Sequence, residues 1–225
     1  MFVSAVVPAA GLGLRLNSKV PKPLVELNKK PIFIWTLEVL SRHPDVKEII
    51  LVVSPNSIDS TERYLKKNRI EKIKNLVAGG AKRTDSVRNG LKQVSPEADL
   101  VLIHDAVRPF IDSDMISRLI LEAEKCGAAV LGVPLKSAIK EIDKSSRVIR
   151  TLNRQHLCQI QTPQVFQREL IIEAYRKFPN AAAVDDAYLV EKLGKRVAVI
   201  SGSYFNIKIT TPEDLVFARS ILLKK

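Results

Sequence analysis

Apolar and polar positions along this chain follow two rhythms. Short, nearly unbroken apolar runs at Phe2 to Val7, Glu48 to Val53, Ile73 to Ala78, Leu100 to His104, Ala128 to Pro134 and Val197 to Ser201 have the length of buried strands. Between them apolar residues return at helical spacing. Ile34, Leu37 and Leu40 lie within Pro31 to Arg42, Val87, Leu91 and Val94 follow the third run, and Ile116, Leu119, Ile120 and Ala123 lie within Ser113 to Gly127. Ile58 to Asn68 reads as a charged surface helix, and Gln167 to Phe178 and Asp185 to Leu193 as two more. Asn206 to Ile209 reads as a short strand. Thr211 then caps a last helix, with Pro212 at its first position, Glu213 and Asp214 in its first turn, and Leu215, Ala218 and Leu222 on its apolar face. Alternating strands and helices predict an α/β fold with a mostly parallel sheet flanked by helices and joined by right-handed crossovers.

One stretch breaks the rhythm. Lys136 to Arg150 alternates polar and β-branched residues around the turn-like Asp143-Lys144-Ser145-Ser146, which predicts a hairpin projecting from the body. A lone hairpin is marginal in water, so this arm is expected to dock on another subunit.

Composition narrows the class. With 225 residues, 46% of them hydrophobic, the chain suits one globular domain spanning 1–225 with the arm at about 136–156. No apolar run reaches the ~18 residues of a membrane span, and no leader pattern precedes the first run, which predicts a cytoplasmic protein without membrane contact. Cys126, Cys158 and the three histidines are too scattered for a zinc site or a disulfide framework. The net charge of +12 is spread among acidic residues without a nucleic-acid motif, so it reads as a solvated surface that attracts anionic substrates rather than nucleic acid.

Candidate chemistry starts where the first run ends, at Pro8-Ala9-Ala10-Gly11-Leu12-Gly13-Leu14-Arg15 and then Pro21-Lys22-Pro23. Small residues let a ligand approach the main chain and collect its N–H donors, and Arg15 and Lys22 add full charge, a combination suited to a nucleoside triphosphate. Leu16 spoils a dinucleotide fingerprint, and no Gly-Lys-Ser/Thr P-loop occurs. A second small-residue loop, Gly79-Gly80-Ala81, follows the third strand and leads to Ser86. Its backbone and the Ser86 hydroxyl could read a base edge, while Thr84 or Asp85 could cap the helix that follows. Two such loops at strand carboxyl ends locate a pocket better than one. Asp105, at the tip of a central strand, needs a neutralising cation, either a magnesium ion held by phosphates or an arginine. His104 beside it reads as a core or supporting residue.

These segments, with Asp105-Ala106-Val107-Arg108-Pro109, Thr162-Pro163-Gln164, Asp185-Asp186 and Asn206-Ile207-Lys208-Ile209-Thr210, resemble the 2-C-methyl-D-erythritol 4-phosphate cytidylyltransferase family along the whole chain. The resemblance implies a Rossmann-like fold, a homodimer clasped by the arm, and transfer of CMP from CTP to a polyol phosphate with magnesium. It places triphosphate and transition-state cations on Arg15 and Lys22, and base contacts on Ala9, Ala10, Gly80, Ala81 and Ser86, with Gly11 a further substrate-binding residue. Acceptor contacts fall on Asp105, Ala106, Arg108 and Lys208, with Arg154 supplied across the dimer, Asp185 a further substrate-binding residue and Asp105 the metal-side carboxylate. Pro23, Val184 and Phe205 stand where this family usually has Gln, often a threonine, and in many members an acidic residue. The alternatives are a ribitol-5-phosphate cytidylyltransferase and, from another class, a non-catalytic nucleotide- or nucleic-acid-binding protein.

Overall fold

The computed structural model describes residues 1–11 and 21–223. Its main sheet has seven strands. In chain order they are β1 (Val3–Ala9), β4 (Val46–Val53), β5 (Ile73–Ala78), β6 (Leu100–Ile103), β7 (Ala128–Pro134), β10 (Cys158–Gln167) and β11 (Ala198–Ser201), with spatial order β11-β7-β10-β6-β1-β4-β5. Pairings are parallel except those of β10, which runs antiparallel to both β6 and β7. The small β2 (Glu26–Leu27) and β3 (Lys30–Pro31) form a separate ladder.

The sheet is covered on both faces because successive strand residues point to opposite sides. From β1, Val3, Ala5 and Val7 join a core containing Phe33, Ile34, Leu37 and Leu40 of α1 (Ile32–Arg42) and Ile116, Leu119, Ile120 and Ala123 of α4 (Ser113–Cys126). Val6 enters the opposite core, with Val87 and Leu91 of α3 (Arg83–Leu91) and Ile171 and Ala174 of α5 (Arg168–Lys177). Each of these large aliphatic side chains contributes about 1.5–3 kcal/mol by leaving water. The charged helix is α2 (Ile58–Lys67), and the short α6 is Ala187–Lys192. A third cluster seats α7 (Pro212–Leu222) on β2 and the first turn of α1 through Leu27, Ile32, Ile209 and Ala218. Thr211 caps α7 as expected, reciprocally with Asp214.

The predicted arm is present as β8 (Ile139–Ile142) paired antiparallel with β9 (Val148–Leu152). Asp143 closes its turn by accepting the N–H groups of Ser145 at 2.8 Å and Arg147 at 2.9 Å.

Two expectations change. Asn206 to Ile209 is not a strand. Ile209 N–H bonds the Val107 carbonyl at 3.0 Å, and the Asn206 side chain donates to the Thr162 carbonyl at 3.0 Å, so one isolated backbone bond and a side-chain tie stand in place of a ladder. Conversely, Gln161 to Phe166, which had no element assigned from sequence, is the interior of β10.

Candidate active site

Four parallel strands, β5, β4, β1 and β6, deliver their carboxyl ends to one edge of the sheet. The chain leaves β1 toward β4 and β5 and then crosses back to β6 on the other side of β1. Ligands of open α/β sheets bind at such a reversal. A cleft of about 650 Å³ opens there. Among the residues singled out from sequence, Ala9, Ala10, Gly11, Lys22, Gly80, Ala81, Ser86, Asp105 and Lys208 all line it.

On one side of the cleft the two small-residue loops touch. A Cβ added to Gly79 would lie 2.3 Å from the Ala10 Cβ, so one loop is seated on the other with no room for a methyl group between them. Ser86 shapes the second loop, for its hydroxyl accepts the Gly80 N–H at 3.1 Å and donates to the Lys82 carbonyl at 3.2 Å. A hydroxyl has one proton and two lone pairs, so the group still free on Ser86 is an acceptor. The Gly80 N–H is thereby occupied. Neither Thr84 nor Asp85 is the cap residue of α3. That position is Lys82, and Asp85 accepts its N–H at 3.1 Å. Lys22 stands on a single 3-10 turn, Lys22–Leu24, with only 8% of its surface exposed. Pro23 occupies the same turn, where its fixed φ suits the geometry. Arg15 lies outside the described residues.

On the other side, Asp105 gathers cations. Its Oδ1 accepts from Arg83 Nε at 2.9 Å, its Oδ2 from Lys208 Nζ at 2.7 Å, and Arg108 Nε stands 3.8 Å from Oδ2. Burial by itself would raise the pKa of this carboxyl, but Arg83, Lys208 and Arg108 hold it far below the usual carboxylate range. Arg83 also donates through Nη2 to Asp186 at 2.8 Å, and the Tyr175 hydroxyl donates to the other Asp186 oxygen at 2.5 Å. Burial, then the Asp186 charge, pushes the Tyr175 hydroxyl well above its ordinary pKa, so it stays a donor. Three cations thus face two carboxylates, an excess of one positive charge. Arg108 Nε is buried without a hydrogen-bond partner, so its charge acts on Asp105 across 3.8 Å without a hydrogen bond.

Other predicted contacts stand back from the cleft. Ala106 is fully buried, its N–H bonded to the Pro8 carbonyl at 3.3 Å and its carbonyl accepting from Thr36 Oγ1 at 2.9 Å. It anchors the loop from beneath. Arg108 is buried behind Asp105 and held by the Asn206 carbonyl at 2.8 Å. Asp185 spends its oxygens on Gln164 Nε2 at 3.0 Å and Tyr188 N–H at 2.9 Å. Arg154, exposed at the base of the arm, donates to the Lys136 carbonyl and does not reach its own cleft.

Asp105 was also the expected metal-side carboxylate. Both its oxygens accept from cationic groups, and among the described residues no group of three His, Cys, Asp or Glu side chains converges on a point. This donor set does not fit a magnesium ion held by protein alone.

A model of the 2-C-methyl-D-erythritol 4-phosphate cytidylyltransferase (IspD) family matches residues 3–224. The chain belongs to that family. Members similar to it include the cytidylyltransferase of Desulforamulus reducens, 43% identical over 99% of this chain and 97% of its own, and that of Shouchella clausii, 43% identical over 100% and 98%. The crystal structure of 4-diphosphocytidyl-2C-methyl-D-erythritol synthase from Anaerococcus prevotii superposes with a TM-score of 0.88 at 36% identity, covering 99% of this chain and 96% of that one. The Thermus thermophilus cytidylyltransferase gives 0.78 at 31% identity, covering 98% of both. IspD members are nucleotidyltransferases, and the cleft has the two unlike sides that joining a nucleotide to a second phosphate requires.

Sequence reasoning assigned no role to Arg83, Asp186, Tyr175 or Thr162, although Thr162 and Asp186 stood in segments that carry the resemblance. Arg83 lay three residues before Ser86 in a stretch already singled out, and Asp186 adjoined Asp185. What sequence withheld was direction, because only the packing of α3 on β1 and β4 brings Arg83 to Asp105.

Proposed function

We propose that this cleft transfers CMP from CTP to 2-C-methyl-D-erythritol 4-phosphate, releasing pyrophosphate and forming 4-diphosphocytidyl-2-C-methyl-D-erythritol. The observation that carries this reading is the meeting, in one cleft, of two phosphate- and base-sized small-residue loops with a buried cluster that keeps one positive charge in excess.

The acceptor phosphate oxygen is already an anionic nucleophile at neutral pH, so the reaction needs no general base. The histidines agree with that. His104 is fully buried with both ring nitrogens engaged, His43 bonds Ser117 at 3.0 Å away from the cleft, and His156 is on the arm. What opposes the reaction is crowding two polyanions and spreading charge over a five-coordinate phosphorus. Positioning and fixed positive charge lower that barrier. Lys22, with Arg15, meets the triphosphate; Lys208 meets the acceptor phosphate, and Arg108 adds positive charge to it from behind Asp105; Arg83 neutralises Asp105 so that the carboxylate does not repel the phosphate. A divalent ion would have to arrive with the triphosphate, whose oxygens are the ligands the protein does not supply.

The arm completes the reading. Ile142, Val148 and Ile149 are each more than half exposed on it, an apolar surface that a second copy would cover, and that copy would receive Arg154 at its acceptor site. No helix among the described residues is long and apolar enough to cross a membrane, and the reading places the enzyme in the cytoplasm, where CTP is available. Pyrophosphate release from CTP, measured with methylerythritol phosphate and ribitol 5-phosphate in turn, tests the assignment. Equal or faster release with ribitol 5-phosphate, or none with either, overturns it.

A further inference from the structure

We propose that His104 is a positioning residue which, as the Nε2–H tautomer, fixes Asp105 and Arg108 by fastening both ends of the loop that carries them. The proposal rests on the assignment of Asp105, Arg108 and Lys208 to the acceptor phosphate. Its geometric basis is a chain of hydrogen bonds in which every proton has one possible direction.

His104 Nε2 lies 3.1 Å from the Arg108 carbonyl, which can only accept, so Nε2 carries the proton. The neutral ring then has a bare Nδ1. Thr162 Oγ1, 3.0 Å from Nδ1, must point its single hydrogen there. With its proton spent, Thr162 Oγ1 accepts the Asp105 N–H at 3.0 Å. The sequence of donors is therefore Asp105 N–H to Thr162, Thr162 O–H to His104, and His104 Nε2–H to the Arg108 carbonyl. The Arg108 N–H also closes a turn onto the Asp105 carbonyl at 3.1 Å. One imidazole thus holds the first and last residues of the Asp105–Arg108 loop, the first of them through β10.

The surroundings keep the ring in this state. His104 is fully buried, and that burial lowers its pKa to about 4 against the opposing charge of Asp105. An imidazolium would have a hydrogen on Nδ1 and turn the Thr162 hydroxyl away, reversing the middle bond of the chain. The same loop is braced from its far side, since Arg108 Nη1 donates to the Asn206 carbonyl at 2.8 Å and Asn206 Nδ2 to the Thr162 carbonyl at 3.0 Å. Asn206 and His104 therefore tie Arg108 to the same residue of β10 from two directions.

Two measurements test the proposal. Nitrogen-15 NMR of the histidine rings in the unmodified enzyme at pH 7, with His104 assigned by its loss in His104→Gln, should show a neutral Nε2–H ring; an Nδ1–H tautomer or an imidazolium overturns the proposal without any variant having to be active. In steady-state kinetics, His104→Leu and Thr162→Val should each raise the acceptor KM about tenfold, the scale of leaving a buried polar group unpaired, with the CTP KM within about twofold. Because the two residues act in one chain, the double variant should cost less than the product of the single effects. His104→Gln, which can return a donor to the Arg108 carbonyl, should recover part of the loss. Equal rises in both KM values, or independent effects of the two residues, overturn the positioning role. Arg108→Ala separates the two levels: if it leaves the acceptor KM unchanged, the assignment of the site itself fails, whereas a rise there without one in His104→Leu rejects only the role of His104.

Discussion

The contact between Gly79 and Ala10 makes a sharp prediction, because it is where the two nucleotide-side loops meet. In Gly79→Ala the new Cβ would lie 2.3 Å from the Ala10 Cβ, 3.0 Å from Ser86 Oγ and 3.4 Å from the Val53 carbonyl oxygen. Carbon atoms pack best at about 3.5–4.0 Å, so the loops have to part by more than an ångström. The Val53 oxygen blocks one direction, and Ser86, already bonded to Gly80 and Lys82, blocks another. Overpacking of this kind costs about 1–3 kcal/mol, which in a chain of this size lowers Tm by about 2–12 °C. The same displacement moves Gly80 and Ser86 away from Ala9 and Ala10, so CTP affinity should fall about tenfold or more, roughly 1.4 kcal/mol. Thermal melts and calorimetric titration with CTP read both effects. Ala10→Gly moves the missing methyl across the contact: alone it should cost about 0.4–1 kcal/mol through the unfolded chain, and combined with Gly79→Ala it should restore most of the lost Tm and CTP affinity. An unchanged Tm and CTP Kd in Gly79→Ala, or a double variant worse than the sum of the two singles, refutes the reasoning.

Three further predictions follow from the site. Lys22→Ala should lower kcat by about two to three powers of ten, by analogy with removing one preorganised donor to developing negative charge; turnover within about threefold of the unmodified enzyme contradicts the role. Mixing inactive Arg154→Ala and Lys22→Ala chains should regenerate activity in mixed dimers, since one of the two clefts then has both cations, and verified mixed dimers without activity argue against a shared site. His104 has an ordinary pKa of 6.5, lowered to about 4 in the folded chain, so its contribution to stability is complete above pH 6.5 and is lost as pH falls toward 4, by about 3 kcal/mol in all at ~1.4 kcal/mol per pH unit. Melts between pH 4 and 7 should therefore show a shallower acid loss in His104→Gln than in the unmodified chain, and parallel curves would count against a neutral buried ring.

Most of the fold was legible because the strands that matter are nearly pure apolar runs and the helices keep strict spacing. The small-residue loops that line the cleft were legible for a related reason, since small residues after a buried strand have few structural uses. β10 escaped because its interior, Gln161-Thr162-Pro163-Gln164, is polar by composition yet buried. Those side chains are satisfied by partners distant in sequence, as when Gln164 Oε1 accepts the N–H groups of Asp186 at 3.2 Å and Ala187 at 3.0 Å, and no periodicity announces such a network. The reverse error at Asn206 to Ile209 has the same origin, for β-branched residues there serve side-chain ties and packing under α7 rather than a ladder. Lys208 was expected among the acceptor contacts, and it pairs with Asp105 at the cleft. Arg83 was not, because its importance depends on two carboxylates that are 22 and 103 residues away.

The arm leaves the body at Pro134 and returns at Cys158, and those two residues face each other as partners in neighbouring strands β7 and β10. Its roots are thus only about 5 Å apart, the usual separation across an antiparallel pair. An excursion with adjoining roots can grow, shrink or be cut back to a tight bend without shifting any row of the sheet, and loop closure charges little for the extra length. Descendants of this chain could therefore remodel how they meet a neighbour while the cleft beneath stays as it is.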